Sequence, residues 1–339
     1  MTSAEIRVLS FEEAISRLRL RPRPYAASYR AMYSSCLGGI VLDAALMSVP
    51  IDDHVVHRGD GVFEAMKLTN GRIYGLDRHL KRLERSAGLA QLTIPGGLSA
   101  LRSIVLQTAR AVGDLRSGLI RLYLTRGPGG FSANPYESTG PEVYVVITNL
   151  ASVPAVKYEA GASCITSSIP AKAGWFATVK SCNYLHNVLM KKEAVDAGVD
   201  FAVSLDERGL LAEGSTENCA IVTKLGLLLT PCFDRVLRGI TAVRCLELAE
   251  SLLTGQRGSS AGLLSGIQEG DLSRQEALEA REMFFFGTTI DVVPVVLYDG
   301  HAIGNGRPGP VFAQLQALLQ GDIHSNEAMS TEIEGAILD

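Results

Sequence analysis

Features that place a chain in a membrane or outside the cell are missing from this sequence of 339 residues. A membrane-spanning helix needs a run of about 18 or more apolar residues, and no apolar run in the sequence is that long. The first residues, MTSAEIRVLSFEEAISRL, carry Glu5, Glu12 and Glu13 and lack the apolar segment of a secretory signal. We therefore expect no membrane span and no signal peptide.

Clusters of metal-binding residues are also missing. The six cysteines form no CxxC pair and have no histidine at metal-site spacing, and the six histidines are scattered. Isolated cysteines of this kind behave as small buried apolar residues in compartments where thiols stay reduced. The sequence therefore predicts no metal site and a cytoplasmic location.

Excess positive charge is absent as well, because the formal net charge is -4. One local basic run, RLRLRPRP, begins at Arg17 and includes Arg23. No aromatic residues are interleaved with this run and no wider basic stripe accompanies it, so it is typical of a solvated helix end. We expect no nucleic-acid partner.

The sequence has enough length, and with 47% apolar residues enough core, for two α+β domains. An extension over residues 1–32 carries a capping-box pattern at Ser10 and Glu13. Residues 33–149 then read as a smaller domain with an antiparallel sheet, because a hairpin signal at 69–71 joins two strand patterns. A linker over 150–158 leads to a larger, strand-rich domain over 159–320, in which the Gly/Ser-rich segment 258–270 is predicted as a surface loop. An acidic tail over 321–339 completes the predicted organisation.

One lysine stands between two patterns in the stretch WFATVKSCNYLHNVLMKKEA. The residues before Lys180 are typical of the end of a strand, and apolar residues after it recur at helical spacing from Leu185 to Val195. A lysine among apolar neighbours has a lowered pKa and can act as an amine nucleophile in Schiff-base chemistry. The alternative is a lysine that extends its ammonium group to solvent, as we expect for Lys191 and Lys192.

Two other segments carry groups that suit an anionic or protonated ligand. Glu213, in AEGSTEN, ends an apolar strand, where a carboxylate must be paired or hydrogen-bonded to remain charged. Ile240 and Thr241, in LRGIT, begin a helix, and the free amides and dipole of a helix N-terminus favour a phosphate. A helix that begins in this way and binds nothing is the alternative.

Further donors come from Thr288 and Thr289, which follow a buried strand in FFFGTTI, and from Arg78 in LDRHLKRL. The helix of Arg78 buries leucines on one face, so the arginine points either to a pocket or to solvent. One ligand uses all of these groups together. Pyridoxal 5'-phosphate has an aldehyde for a lysine, a phosphate for an arginine and a helix N-terminus, and a ring nitrogen for a carboxylate.

Five motifs occur in order between about Tyr33 and Tyr298: HRGDGVFEAMKLTNGRIYGLDRHLKRLERSA, KSCNYLHNVLMKKEA, AEGSTEN, LRGIT and FFGTTIDVVPV. In these motifs the chain resembles the class IV, or fold-type IV, pyridoxal-phosphate aminotransferases. That family includes branched-chain aminotransferases, D-amino acid aminotransferases and aminodeoxychorismate lyases. The resemblance implies a two-domain α+β enzyme with its cofactor in the interdomain cleft, and a homodimer.

The resemblance also implies roles for particular positions. Lys180 matches the lysine that binds the cofactor covalently and transfers the proton at the substrate Cα. Glu213 matches the partner of the ring nitrogen, and Tyr184 matches a tyrosine that bonds the cofactor's phenolic oxygen. The residues implied for the phosphate are Arg78, Ile240, Thr241 and Thr288, and those implied for the substrate are Phe63, Arg121 and Thr289.

The substrate signals are mixed. The spacing within KSCNYLHNVL is similar to that of D-amino acid aminotransferases, whereas Tyr184 and Phe63 are similar to branched-chain enzymes. The loop TRGPGGFSANP lacks the Arg-x-His pattern of typical D-specific members, and Arg121 either lies near the substrate carboxylate or points outward. We expect an aminotransferase acting on a branched-chain or D-amino acid and a 2-oxo acid. A lyase that releases pyruvate and a non-catalytic protein that binds the cofactor remain the alternatives.

Overall fold

The computed structural model describes residues 6–21, 23–113, 115–253 and 262–333, and within them the strands form two sheets. The strands are β1 Tyr29–Ser34, β2 Gly39–Val41, β3 Gly61–Thr69, β4 Arg72–Tyr74, β5 Ser117–Thr125, β6 Glu142–Asn149, β7 Ala162–Thr166, β8 Phe201–Leu205, β9 Leu211–Gly214, β10 Asn218–Val222, β11 Leu227–Pro231, β12 Gly266–Gly270, β13 Glu282–Gly287, β14 Asp291–Tyr298, β15 His301–Ala302 and β16 Ser330–Glu332. The helices are α1 Phe11–Leu20, α2 His54–Arg58, α3 Leu76–Leu89, α4 Gly97–Arg110, α5 Val156–Glu159, α6 Leu185–Asp196, α7 Ile240–Ala249, α8 Arg274–Leu278 and α9 Pro310–Ser325. This combination confirms the predicted α+β class.

The first sheet has seven antiparallel strands in the order β16-β4-β3-β5-β6-β1-β2. Side chains alternate along β3, so Val62 and Met66 point to the face covered by α3 and α4 and join their buried core. Phe63 and Arg121 lie on the opposite face, because Phe63 pairs with Tyr123 and Arg121 is two residues from Tyr123 on β5. The first sheet therefore presents a second, mainly polar and aromatic face.

The second sheet is mixed and nearly closed. Its order is β12-β11-β10-β13-β14-β7-β8-β9, and β9 also pairs with β10, so six strands form a ring. Cys219 and Phe285 pack with the residues of one face, whereas Phe284 and Phe286 pack with α7 and α9 on the other. The ring brings the end of β9 next to the start of β10, where Glu213 pairs with Asn218.

Three local predictions differ from the structure. The residues before Lys180 form a 3-10 helix, Gly174–Thr178, rather than a strand. The segment predicted as a surface loop contains β12, which runs parallel to β11; residues 258–261 of that segment lie outside the described residues. The proposed boundary at residue 32 falls inside β1. The helix predicted after Lys180 is present as α6, and its apolar residues face outward, with Leu185 69% and Val195 62% exposed.

The predicted acidic tail is also structured in its described part. Residues 321–325 complete α9, and β16 adds an edge strand to the first sheet by pairing with β4. The Asp322 carboxylate is buried and accepts hydrogen bonds from the Tyr74 hydroxyl and from both Nε and Nη2 of Arg244. These contacts join the C-terminal segment to β4 of the first sheet and to α7, and residues 334–339 lie outside the described residues.

Membrane-spanning helices and metal-binding clusters are both absent from the described residues. None of the helices in these ranges is long and apolar enough to cross a membrane. The same ranges contain no group of three or more His, Cys, Asp and Glu side chains placed to hold a metal ion.

Candidate active site

Lys180 is held between the two sheets by backbone hydrogen bonds to β3. The Phe63 amide donates to the Lys180 carbonyl at 2.9 Å, and the Cys182 amide donates to the Gly61 carbonyl at 2.8 Å. β4 pairs only with Leu68 and Thr69 of β3, so the beginning of β3 has a free edge that this segment occupies. Lys180 is therefore positioned by non-local strand pairing.

The Lys180 side chain lies in a setting that disfavours its charged form. Burial lowers its pKa to about 8, and the Arg82 guanidinium acts in the same direction. Its Nζ lies 4.6 Å from the centroid of the Phe63 ring. By contrast, the Nζ of Lys191 donates to the Asp200 carbonyl and Lys192 pairs with Asp196, as expected for surface residues. The Lys180 amine therefore loses its proton more readily than that of a solvent-exposed lysine.

Glu213 lies across the same cavity, at the end of β9. One carboxylate oxygen accepts a hydrogen bond from the Leu237 amide at 3.2 Å. Burial nevertheless raises the pKa of Glu213 to about 7, although this bond and the charges of Lys172 and Lys180 act against the rise. The Glu213 carboxylate is therefore available to pair with a cationic or protonated group.

Tyr184 lines the cavity beside these two residues, immediately before α6. Its ring meets the Phe63 ring edge-on, with centroids 5.3 Å apart. Burial and the nearby Glu213 carboxylate raise the pKa of the Tyr184 phenol above its usual value. The hydroxyl thus remains protonated and can donate a hydrogen bond.

The N-terminus of α7 has no side-chain cap. Gly239 precedes Ile240 and Thr241 and makes no capping hydrogen bond, so the first amides of the helix keep their donor capacity. A Cβ built on Gly239 would lie 1.9 Å from Asn218 Oδ1, and the Asn218 amide group donates to the Leu237 carbonyl at 2.7 Å. The approach to α7 is thus a close-packed turn that requires glycine.

Arg82 contacts the segment that leads into α7, whereas the contacts of the predicted Arg78 lie elsewhere. Arg82 is 9% exposed and donates to the Arg238 carbonyl at 3.1 Å, directly before the α7 turn. Arg78 is 36% exposed, and its guanidinium donates to both carboxylate oxygens of Glu247, at 2.8 and 3.0 Å. The two arginines lie one helical turn apart on α3, which is why sequence periodicity does not separate them.

Arg82 is anchored by Glu64, a residue that the motif-based prediction missed. The buried Glu64 carboxylate accepts from Arg82 Nε at 2.8 Å and Nη2 at 2.7 Å, and from His79 Nδ1 at 2.7 Å. Burial opposes ionisation, but Arg82 and His79 prevail and lower the pKa of Glu64 to about 2. The sequence contains a signal for this pair, since Glu64 interrupts the apolar alternation of β3 and requires a cation.

Thr288, Thr289 and Arg121 are not among the described residues that line the cavity of Lys180 and Glu213. Thr288 and Thr289 form the turn between β13 and β14, and Phe286 just before it pairs with Asn218. Arg121 shares a sheet face with Phe63, and its Nη1 lies 3.4 Å from the Thr148 hydroxyl. Arg121 therefore lies on the same sheet face as Phe63, and its role at the substrate carboxylate stays a prediction.

The donor set around Lys180 fits the groups of pyridoxal 5'-phosphate. A lysine amine, a buried carboxylate, a phenol, and an arginine beside an uncapped helix N-terminus match an aldehyde, a ring nitrogen, a phenolic oxygen and a phosphate. In addition, Asn187 Oδ1 is buried at the cavity wall without a hydrogen-bond partner among the described residues.

Comparison with known proteins gives consistent matches. A family model described as amino-transferase class IV matches residues 61–298. The chloroplastic D-amino-acid transaminase of Arabidopsis thaliana is 39% identical over 326 residues, which are 95% of this chain and 84% of that protein. A putative branched-chain-amino-acid aminotransferase of Methanocaldococcus jannaschii is 34% identical over 286 residues, 83% of this chain and 93% of that protein. The solved structure of the T.th. branched-chain amino acid aminotransferase with N-(5'-phosphopyridoxyl)-L-glutamate has a TM-score of 0.80 and 27% identity, and the match covers 90% of this chain and 99% of that one.

Proposed function

Since the chain belongs to the class IV aminotransferases and transfers an amino group between an amino acid and a 2-oxo acid, we propose that it does so with pyridoxal 5'-phosphate bound around Lys180. One observation carries this proposal. Lys180, with a pKa of about 8, and Glu213, with a pKa of about 7, line a single cavity between the two sheets. A nucleophilic amine opposite a carboxylate suits this cofactor's aldehyde and ring nitrogen.

Each residue has a distinct part in this proposal. When bound, pyridoxal phosphate supplies an aldehyde for amino groups and a ring that accepts electrons from the substrate Cα. Lys180 holds the cofactor and moves the proton at the substrate Cα. Glu213 keeps the ring nitrogen protonated by charge pairing, and the Tyr184 hydroxyl donates to the cofactor's phenolic oxygen. The groups proposed for the phosphate are Arg82, the amides of Ile240 and Thr241, and the Thr288 hydroxyl.

We propose that the amino acid is a D-amino acid, with a branched-chain L-amino acid as the second candidate. Support for the first is the similarity to a D-amino-acid transaminase over 95% of this chain. Support for the second comes from Phe63 and Tyr184, the two residues that are similar to those of branched-chain enzymes and whose rings are in contact. Phe63, Arg121 and Thr289 are the proposed substrate contacts.

The test is a half-reaction with the cofactor-loaded protein and one amino acid at a time, in D and L forms. The absorption of the bound cofactor should change with an amino acid alone, and a 2-oxo acid should restore it. Lys180→Ala should abolish this cycle, whereas Lys191→Ala, a surface control, should leave it intact. Pyruvate release without an acceptor would instead establish a lyase, and no spectral change with any amino acid would leave a binding protein.

The phosphate assignment has its own matched pair of variants. Arg82→Met should weaken cofactor binding by about 10- to 100-fold, because a charge-assisted hydrogen bond to a phosphate is lost. Arg78→Met removes a half-exposed ion pair from the same helix and should leave cofactor affinity close to that of the wild type. The opposite ranking of the two dissociation constants would return the role to Arg78.

We further propose that two copies of the chain associate through α6. Its outward residues Leu185, Val188 and Val195 are 69, 56 and 62% exposed, which is unusual for adjacent apolar side chains on one helix. Leu185→Asp combined with Val188→Asp should give a monomer in sedimentation experiments. Leu225→Asp is the control, since this residue is 86% exposed in an isolated turn, and it should not change the mass; an unchanged mass for the double variant would contradict the interface.

The cytoplasmic location stays a proposal. All six cysteines are free, including Cys182, two residues after Lys180, which suits a compartment where thiols are kept reduced. Alkylation of the protein in intact cells, followed by mass spectrometry, should label the exposed Cys36. A disulfide recovered at Cys36 would argue against this location.

A further inference from the structure

A second lysine, Lys172, projects toward the same cavity as Lys180 and Glu213. It also lines an adjoining groove of about 760 Å³, whose wall includes the stacked rings of Trp175 and Phe176. Lys172, Val179 and Ser181 border both spaces, so the lysine stands where the inner cavity meets the outer groove. Its Nζ lies 5.7 Å from the centroid of the Tyr184 ring.

The Lys172 ammonium has no ion-pair partner among the described residues, although it is half-buried. Most of the eight lysines do have a partner or lie in solvent: Lys67, Lys157, Lys192 and Lys224 pair with carboxylates, Lys191 binds a carbonyl, and Lys81 is exposed. Within the described ranges, only Lys172 and Lys180 combine burial with a free amine. Burial lowers the pKa of Lys172, and the Glu213 carboxylate partly offsets this effect.

Two of the other cations near the site are held by carboxylates, whereas Arg121, a proposed substrate contact, makes only a 3.4 Å contact with the Thr148 hydroxyl. Arg82 makes a bidentate pair with Glu64. Arg126, at the start of the glycine-rich loop, makes a bidentate pair with Asp60 and also donates to two carbonyls of the α3–α4 connection. An amino acid and its 2-oxo acid both carry a carboxylate that needs a cation once it leaves water. Lys172 offers an unpaired charge for such a group at the mouth of the cavity.

We propose that Lys172 binds a carboxylate of the amino acid and 2-oxo acid substrates at the junction of the inner cavity and the outer groove. This inference rests on the proposed function of the Lys180 site. It assigns to Lys172 the selection of substrates, whereas Lys180 and Glu213 carry out the chemistry. The carboxylate is either the one next to the reacting carbon or a second one on the side chain, and the two are separated by experiment.

The experiment measures binding of two unreactive acids to the cofactor-loaded protein by calorimetry: 4-methylvaleric acid, with one carboxylate, and glutaric acid, with two. Lys172→Met should raise the dissociation constant by about 10- to 100-fold, and Lys172→Arg should restore most of the affinity. Loss with both acids identifies the shared carboxylate, and loss with glutaric acid alone identifies the side-chain carboxylate. Lys192→Met, in an exposed i,i+4 pair, is the matched control and should bind both acids like the wild type.

Three outcomes would overturn the inference. The first is a Met variant that binds both acids with wild-type affinity. The second is a Met variant that loses cofactor affinity to the same extent, which would make Lys172 a cofactor residue. The third is an Arg variant as weak as the Met variant, which would indicate a loss of packing rather than of charge; thermal unfolding of each loaded variant verifies its fold. Failure of the wild-type protein to retain the cofactor on Lys180 would instead refute the proposed function itself, before any Lys172 variant is compared.

Discussion

Replacement of Glu64 by glutamine should destabilise the protein by about 3 kcal/mol at pH 7. The glutamine side chain is nearly isosteric but leaves the Arg82 guanidinium buried without its counter-charge. The pKa of Glu64 falls from 4.5 to about 2 in the folded protein, and at about 1.4 kcal/mol for each pH unit this corresponds to about 3 kcal/mol. This value agrees with the loss of about 3–5 kcal/mol in stability that generally follows when one partner of a buried ion pair is removed.

The sign of the pH dependence follows from the lowered pKa. The unfolded chain binds a proton near pH 4.5, which the folded Glu64 does not take up until about pH 2. The stabilisation is therefore complete above pH 4.5 and is lost as the pH falls toward 2. Urea unfolding at several pH values should show the wild type and the Gln variant converging over this range.

Glu247→Gln provides the control within the same region of the fold. Glu247 also faces an arginine of α3 in a bidentate geometry, but its side chain is 38% exposed. Solvent screening limits such pairs to about 1 kcal/mol or less. Equal losses for the two variants, or a Glu64→Gln loss that does not change with pH, would refute the role of burial in this argument.

Three other predictions concern the site directly. Lys180→Met should stabilise the cofactor-free protein by about 3 kcal/mol at pH 7, because folding lowers the pKa of Lys180 from 10.5 to about 8. The unfolded state binds more protons between these two pH values, so unfolding experiments should show that the gain in stability disappears between pH 8 and 10.5. A gain that stays constant over this range would contradict the explanation. Glu213→Gln should retain the cofactor on Lys180, which borohydride reduction and peptide mapping would detect. It should slow proton removal in single turnovers by about tenfold for each 1.4 kcal/mol of transition-state stabilisation that is lost. Wild-type rates in this variant would make Glu213 a structural residue. Gly239→Ala should lower the stability measured by thermal unfolding by about 1–3 kcal/mol and weaken cofactor retention, because the added Cβ would lie 1.9 Å from Asn218 Oδ1. Gly39→Ala is the control and should have little effect, because no atom lies within 4 Å of its added Cβ. Similar losses in both variants would refute the role of close packing at Gly239.

Local chemistry was readable from the sequence by itself. The capping box at Ser10 begins α1, and the two strand patterns joined by the hairpin signal at 69–71 form β3 and β4. These predictions hold because capping and strand alternation are set by residues that are neighbours along the chain. The family motifs around Lys180 and Glu213 were readable for the same reason, since each lies within a short segment.

Only the tertiary structure shows which of two similar residues contacts the site. Arg78 and Arg82 occupy the same face of α3, and what separates them is Glu64 on β3 and the Arg238 carbonyl before α7, both distant in sequence. β16 likewise forms because it pairs with the free edge of β4. The C-terminal residues alone do not predict this strand. The position of Lys180 comes from backbone hydrogen bonding to β3 rather than from its neighbours along the chain. Sequence patterns therefore determined which groups are present, and long-range packing decided which of them meet.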